Sequence, residues 1–366
     1  MKMFFVAGIG IAVFIEFLLI SKKNKSTPDR ILTVWMFVII LHLFLSYLFA
    51  TGDIFSLPFL LGIEQPFPLL HGIFLYFYVA YLTDQLPDNR KLLFLHALPP
   101  AAVYLYLVTF FILPPDQKIY VYRSRGEGYE VYLLIKRYAI WLSGILYVTW
   151  SEILLRRHRK TISDQFSDLE KVNLQWLKIL TYGMGCIWLL VIFFENDRLI
   201  MGGVVVFVFL IGFFGVRQTV IFSPREVRAE SDEPKRKYPK SGLSEEAATR
   251  LHESLIQLMT GEALYKKSDL SINDLASRLG VHANYLSQII NQKERKNFYD
   301  FVNTYRFEEF RRLISLQKNQ QYTLLSLAHD CGFSSKSSFN RYFKKATGQT
   351  PSEYSSAPVG NQPGPA

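Results

Sequence analysis

Long apolar runs dominate the first 222 residues, and they constrain the fold more than any other feature of the chain. A helix that crosses a bilayer needs roughly 20 apolar residues. Seven stretches approach that requirement: 4–20, 31–50, 67–83, 92–113, 138–155, 174–195 and 199–217. The sequence therefore predicts an all-α protein whose residues 1–222 form a seven-helix transmembrane bundle.

The first run has an alternative interpretation as a cleaved signal peptide. It carries Glu16 and lacks the small-residue cleavage site of such peptides. We therefore interpret it as a span.

Basic residues in the short loops predict the orientation, because cytoplasmic loops of membrane proteins are enriched in Lys and Arg. The loops after the first, third and fifth runs contain Lys22, Lys23, Lys25, Arg30, Arg90, Lys91, Arg156, Arg157, Arg159, Lys160 and Lys171. The loop 51–65 contains no Lys or Arg. We expect a multi-pass protein of a bacterial inner (cytoplasmic) membrane, with its N-terminus outside and everything after 222 in the cytoplasm.

Two histidines in the apolar half, His42 and His71, are candidate ligand-pocket residues, since ionisable groups in hydrocarbon are costly unless they face the bundle interior. The signal they would sense, a small molecule or a protein, is unknown. With only Cys186 and Cys331, the chain has no disulfide framework or four-cysteine zinc site. Nucleotide-binding, metalloprotease and nucleophile-elbow motifs are absent from the sequence, which predicts no enzyme and no cofactor.

The composition changes after residue 222. Residues 223–242 are rich in Pro and in charge and predict a linker, and 356–366 predict a disordered tail. Residues 243–355 between them, with spaced apolar positions, predict a cytoplasmic all-helical domain.

Two helical hairpins are predicted in this domain. Ser271 and Asp274 fit a capping box, Gly280 ends the first helix, and a second helix starts near Ala283. The pattern Leu275-Ala276, Leu279-Gly280-Val281 recurs as Leu327-Ala328, Cys331-Gly332-Phe333, and the inward triplet Leu286, Ile289, Ile290 recurs as Phe339, Tyr342, Phe343. This repetition predicts helix-turn-helix motifs at about 271–292 and, after an N-cap at Thr323, about 323–346.

A linking helix is predicted at 298–316, between the two motifs. Its length of roughly 28 Å is close to the roughly 34 Å that separates successive major grooves on one face of DNA. We expect Arg306, Arg311 and Arg312 on this helix to pair with Glu308 and Glu309.

Residues 271–354 resemble the DNA-binding domain of AraC/XylS-type transcription regulators. The resemblance rests on Cys331-Gly-Phe-Ser-Ser-Lys-Ser-Ser-Phe-Asn-Arg-Tyr-Phe-Lys-Lys and on Thr347-Gly-Gln-Thr-Pro-Ser-Glu-Tyr354. It covers roughly a quarter of the chain, with Cys331 where a valine is common. Residues 237–259 and the loop Phe166-Ser-Asp-Leu-Glu-Lys are similar to segments of membrane-anchored members.

The resemblance implies double-stranded DNA as the partner, and side-chain chemistry agrees, since Asn and Gln pair with adenine and Arg with guanine or phosphate. The candidate base contacts are Asn284, Ser287, Gln288, Lys336, Ser337, Asn340 and Arg341. The candidate phosphate contacts are Ser338, Lys344 and Lys345.

The sequence thus predicts a membrane-tethered, sequence-specific transcription regulator whose transmembrane part senses a signal. Two alternatives are a transporter or other membrane protein whose helical domain recruits protein partners, and a regulator released by proteolysis in the linker. Whether the protein forms a homodimer stays open, because the sequence contains no long heptad segment.

Overall fold

The computed structural model of the protein describes residues 2–169, 174–194, 196–217, 245–316 and 321–356. These residues form two compact units, the first comprising 2–156, 174–194 and 196–217, and the second comprising 157–169, 245–316 and 321–356. The predicted linker and residues 357–366 of the predicted tail lie outside the described residues. The described part is all-helical and contains no β-strand, only an isolated bridge between Phe166 and Ser271.

The first unit is built from nine α-helices, of which the seventh ends in the second unit. They are α1 (Lys2–Ser21), α2 (Thr27–Thr51), α3 (Phe67–Leu82), α4 (Leu98–Tyr106), α5 (Val108–Phe111), α6 (Pro115–Arg123), α7 (Glu130–Ser163), α8 (Gln175–Phe193) and α9 (Asp197–Arg217). Five of them, α1, α2, α7, α8 and α9, are long and apolar enough to cross a membrane. The described residues thus contain five helices of spanning length rather than seven.

The two other predicted spans are a short helix and a divided segment, and Pro99 and Pro100 in the sequence predict a kink in the second of them. Helix α3 has 16 residues, about 24 Å, and is shorter than the other five. The predicted span 92–113 is divided into a 3₁₀ helix, Arg90–Ala97, followed by α4 and α5. Pro99 and Pro100 explain the division: a proline fits the first turn of a helix but breaks its interior, so α4 begins at these prolines.

Large aromatic side chains fill the centre of the first unit, where Trp35, Tyr76 and Phe207 are buried. Helix α1 packs on α2 and α9, α2 on α3, and α8 on α9. The outer surface is also apolar: Phe17 is 64% exposed and Leu142 66%. Large exposed apolar patches are rare on proteins surrounded by water.

The second unit contains seven further helices. They are α10 (Glu245–Gly261), α11 (Ile272–Leu279), α12 (Ala283–Ile289), α13 (Phe298–Ile314), α14 (Leu324–Asp330), α15 (Lys336–Thr347) and α16 (Pro351–Ser356). A π-helical turn, Ile290–Glu294, continues α12, and a 3₁₀ turn, Leu264–Lys266, precedes α11.

Helix α13 lies between two apolar clusters and supplies side chains to both. The first cluster, around α11 and α12, comprises Leu255, Met259, Leu270, Ile272, Leu275, Ala276, Leu286, Ile290, Phe298, Phe301 and Val302. The second, around α14 and α15, comprises Ile162, Leu169, Tyr299, Phe307, Phe310, Leu327, Ala328, Cys331, Phe333, Phe339, Tyr342, Phe343 and Tyr354. Each half of the domain therefore depends on this one helix for its core.

Two of the three predicted ion pairs on α13 are confirmed. Arg311 lies 3.4 Å from Glu308, and Arg312 lies 2.7 Å from Glu309. Glu309 is only 9% exposed and also pairs with Lys266 at 2.9 Å, which joins α13 to the turn before α11.

For Arg306 the prediction is wrong. Its side chain is 1% exposed, and its guanidinium donates to the carbonyl oxygens of Tyr265 and Lys267, each at 2.7 Å. A buried guanidinium needs acceptors for its five N–H groups, and the backbone supplies them here in place of a carboxylate.

Gly332 forms the turn between α14 and α15 with a φ of +97°. An added Cβ would lie 2.5 Å from the carbonyl oxygen of Tyr265, closer than atoms can approach. Both the backbone conformation and the tight packing therefore require glycine at this position.

We predict that Gly332→Ala lowers the free energy of unfolding of the second unit by about 3 kcal/mol or more, because left-handed strain and overpacking add. Gly348→Ala is the matched control: Gly348 has a φ of +76° with open space around it, so it should cost about 1–2 kcal/mol. Burial raises the pKa of the Cys331 thiol to about 12, so denaturant-dependent thiol labelling in a Cys186→Ser background reports unfolding. Equal losses in the two variants would contradict the packing argument.

We predict that Glu309→Gln destabilises the second unit by roughly 1–2 kcal/mol at pH 7, since its hydrogen bonds are to charged partners. The hydrogen bond from Arg312, with that from Lys266, lowers the pKa of Glu309 from 4.5 to about 2. A lowered pKa stabilises the fold above pH 4.5, and that stabilisation is lost as the pH falls toward 2. The difference between wild type and variant, measured by denaturant titration, should thus shrink below pH 4.5, while exposed Glu308→Gln should change stability little at any pH.

Candidate nucleic-acid interface

The first helix-turn-helix motif consists of α11 and α12. The capping box predicted at its start is present: the Oγ of Ser271 accepts from the amide of Asp274 at 3.2 Å, and the carboxylate of Asp274 accepts from the amide of Ser271 at 2.8 Å. Gly280 ends α11 with a φ of +65°. His282 caps α12, where its Nδ1 accepts from the Asn284 amide at 3.2 Å.

Helix α12 presents a polar face on the side opposite its buried residues. Leu286 and Ile289 are buried, whereas Asn284 and Gln288 are exposed and Ser287 is half-buried. All three predicted base-contact residues of this motif therefore lie on one accessible stretch of a short helix.

The second motif consists of α14 and α15 and repeats this design. Thr323 caps α14, as predicted, by accepting from the Ser326 amide at 3.1 Å. Ser335 caps α15 and accepts from the Ser338 amide, also at 3.1 Å. Helix α15 ends at Gly348 in the left-handed conformation.

Helix α15 also separates a buried and an exposed face. Phe339, Tyr342 and Phe343 are buried. The predicted base-contact residues are exposed or half-buried, namely Lys336, Ser337, Asn340 and Arg341. The periodicity thus brings the polar set together on one side of the helix.

The three predicted phosphate contacts have different surroundings. Lys344 is exposed, and Lys345 is exposed but pairs with Asp300 of α13 at 2.6 Å. Ser338 is only 3% exposed, because it lies in the first turn of α15 on the buried side. The structure therefore places two of these residues at the surface and one beneath it.

The two histidines singled out by the sequence lie together in the first unit. His42 Nδ1 is 3.0 Å from His71 Nε2, and the rings are stacked. Trp35 Nε1 donates to His71 Nδ1 at 3.2 Å, which leaves His71 Nε2 to donate to His42. This chain satisfies buried polar atoms; ligand binding by the pair stays a prediction.

Sequence reasoning missed a polar network on the buried side of α13. Asn303 is fully buried and its Oδ1 accepts from Arg306 at 3.2 Å. The available signal was their spacing of three residues, which places both on the same side of the helix as Phe307 and Phe310.

Comparison with known proteins finds a family match within the second unit. Residues 275–357 match the family model described as Helix-turn-helix domain, of AraC type. An uncharacterized HTH-type transcriptional regulator from Staphylococcus aureus (strain COL) is 34% identical over 91 residues, which are 25% of this chain and 12% of that protein. No solved structure matches. The chain therefore contains an AraC-type helix-turn-helix domain, a domain typical of DNA-binding transcription regulators rather than of enzymes.

Proposed function

We propose that this protein is a membrane-tethered, sequence-specific DNA-binding transcription regulator. The observation that carries the proposal is the pair of helix-turn-helix motifs, each with a polar exposed face on its second helix, joined by the single helix α13. With 17 residues, α13 is about 26 Å long. One polypeptide would thereby place α12 and α15 in successive major grooves.

Specificity would come from the exposed polar side chains of α12 and α15. Asn284 and Gln288 offer paired hydrogen bonds to adenine, and Arg341 offers them to guanine. Lys344 would hold phosphate. Lys345 would exchange Asp300 for a phosphate oxygen, whereas buried Ser338 would act through the start of its helix rather than through its side chain.

The first unit supports membrane tethering. Its five long apolar helices expose large apolar side chains, as a lipid-facing surface requires. Helix α3 and the divided segment 90–113 would complete seven crossings, and the basic loops favour a cytoplasmic second unit.

The membrane unit would sense the signal. A stimulus can act only through different affinities for two arrangements of the protein, so it would shift a population rather than create a new state. The buried chain of Trp35, His71 and His42 is our candidate sensing centre, because ionisable groups kept inside a membrane bundle are costly and mark candidate functional sites.

We predict that Gln288→Ala and Arg341→Ala each weaken specific DNA binding by about 1–3 kcal/mol and relax the preference at one base pair. Lys344→Ala should weaken binding to all sequences alike and lower the salt slope by about 1. The measurement is a mobility shift of the solubilised full-length protein with duplexes selected from a random-sequence library.

Arg250→Ala is the matched control, since Arg250 is exposed on α10 and pairs with Glu246. It should leave affinity and preference unchanged. If the wild type selects no sequence, or all four variants bind alike, the second unit does not read DNA as proposed, and a protein-recruiting role becomes the better explanation.

We predict that residue 300 is cytoplasmic and residue 57 external. Fused at residue 300, β-galactosidase, which works in the cytoplasm, should be active and alkaline phosphatase, which works outside, inactive. Fusions at residue 57 should show the reverse. An external residue 300 would overturn the proposed orientation and put the second unit out of reach of DNA.

A further inference from the structure

A loop at the end of α7 forms part of the second unit. We call residues 164–169 the docking loop. Its backbone pairs with the chain that enters α11: the Ile272 amide donates to the Gln165 carbonyl at 2.9 Å, and the Ser167 amide donates to the Leu270 carbonyl at 3.2 Å. The loop is thus held beside the N-terminus of the first helix-turn-helix motif.

Ser167 occupies the centre of the buried polar network. Its carbonyl accepts from Asn303 Nδ2 at 3.1 Å and from Arg306 Nη1 at 3.3 Å. Its Oγ accepts from Arg306 Nη2 at 3.1 Å and donates to the Leu270 carbonyl at 2.6 Å. Ser167 has no exposed surface, so these hydrogen bonds fix this segment of the chain inside the second unit.

Charge reinforces the docking. Burial lowers the pKa of Arg306 to about 10, and the strongest opposing influence is the negative charge of Asp168. Asp168 belongs to the docking loop and is itself only 7% exposed. The loop therefore supplies the strongest balancing charge for the buried guanidinium of α13.

Apolar contacts tie the same segment to the other half of the domain. Ile162 and Leu169 belong to the cluster around α14 and α15, and Phe166 packs against it. The hydrogen bonds thus engage the first motif and the linking helix, while the side chains engage the second motif.

We propose that the docking loop is a regulatory element of this chain, which when docked holds the two helix-turn-helix motifs in the arrangement that binds two half-sites at once. When it is released, the motifs move independently, and DNA with two half-sites is bound more weakly. The inference rests on the proposed function and adds its regulation. The loop directly follows α7 in the sequence, so a signal in the membrane helices has a short covalent route to it.

Release would exchange the hydrogen bonds of the loop for hydrogen bonds to water, which can satisfy the same groups. It would also expose the apolar side chains of Phe166 and Leu169, a cost that opposes release in the absence of a signal. Arg306 would keep its bonds to Tyr265, Lys267 and Asn303, so the domain itself can stay folded.

The test is Asp168→Lys in the full-length protein, which places a second cation beside Arg306. Asp164→Lys is the matched control, with the same charge change in the same loop on a partly exposed side chain. We expect Asp168→Lys to speed hydrogen exchange at the Ile272 amide at least tenfold. Its affinity for a library-selected duplex with two half-sites should fall at least tenfold, while affinity for the same duplex with one half-site scrambled changes less than twofold.

A disulfide that holds the loop in its docked position should restore the two-site affinity lost in Asp168→Lys. Phe166 and Ser271 form an antiparallel bridge whose flanking residues carry the hydrogen bonds, a pair type with Cα atoms about 4.5 Å apart, within disulfide range. In Cys186→Ser protein that carries Asp168→Lys, the pair Phe166→Cys and Ser271→Cys should restore two-site affinity to within threefold of wild type when oxidised. The reduced form of the same protein is the control and should stay weak.

The outcomes separate the two proposals. If the wild type selects no DNA sequence, the proposed function fails, and hydrogen exchange at Ile272 still decides whether the loop docks. If Asp168→Lys frees the loop but two-site affinity is unchanged, or both duplexes lose affinity in parallel, the loop is only structural and the inference is overturned.

Discussion

Helix α13 contributes side chains to two apolar clusters and also carries the buried cation Arg306. The packing of the second unit depends on this one helix meeting both requirements. Phe298 and Phe301 complete the first cluster, and Phe307 and Phe310 complete the second. Between them Arg306 is buried, and its N–H groups are taken up mainly by backbone carbonyls. The carbonyls of Tyr265 and Lys267 thereby hold the chain before the first motif against α13, and Ser167 adds a further acceptor.

In the first unit the exposed surface, like the interior, is strongly apolar. Its exterior is apolar, so the polar groups of its interior must find partners within the protein. Trp35, His71 and His42 do so as a chain of hydrogen bonds, with the two imidazole rings stacked. Ionisable groups kept inside such a unit are costly and mark candidate functional sites, which is the physical basis of the proposed sensing centre.

The proposed regulation links the histidine chain of the first unit to the buried site of Arg306 on α13. It requires no contact between the signal and the DNA. The docking loop contributes acceptors and a negative charge to the buried site of Arg306 on α13. Its docking equilibrium would set how rigidly α12 and α15 are spaced. DNA with two half-sites is sensitive to that spacing, because its grooves are a fixed distance apart.

The sequence by itself determined the local elements of the second unit and much of its candidate interface. Capping at Ser271 and Thr323, the turn at Gly280 and the polar faces of α12 and α15 follow from interactions within a few residues, which sequence patterns report directly. Hydropathy likewise located the long apolar helices, and Pro99 and Pro100 predicted a kink in the fourth span, but hydropathy alone did not show that the segment 90–113 divides into separate helices. Hydropathy averages a window and ignores which backbone amides are missing.

Only the tertiary structure decided the role of Arg306 and the position of the docking loop. A sequence pattern suggested a helical ion pair for Arg306, since neighbouring carboxylates are the nearest partners along the chain. Its acceptors at Ser167 are 139 positions away. Such long-range contacts depend on how the helices pack, because burial removes water and makes any carbonyl within reach a required partner.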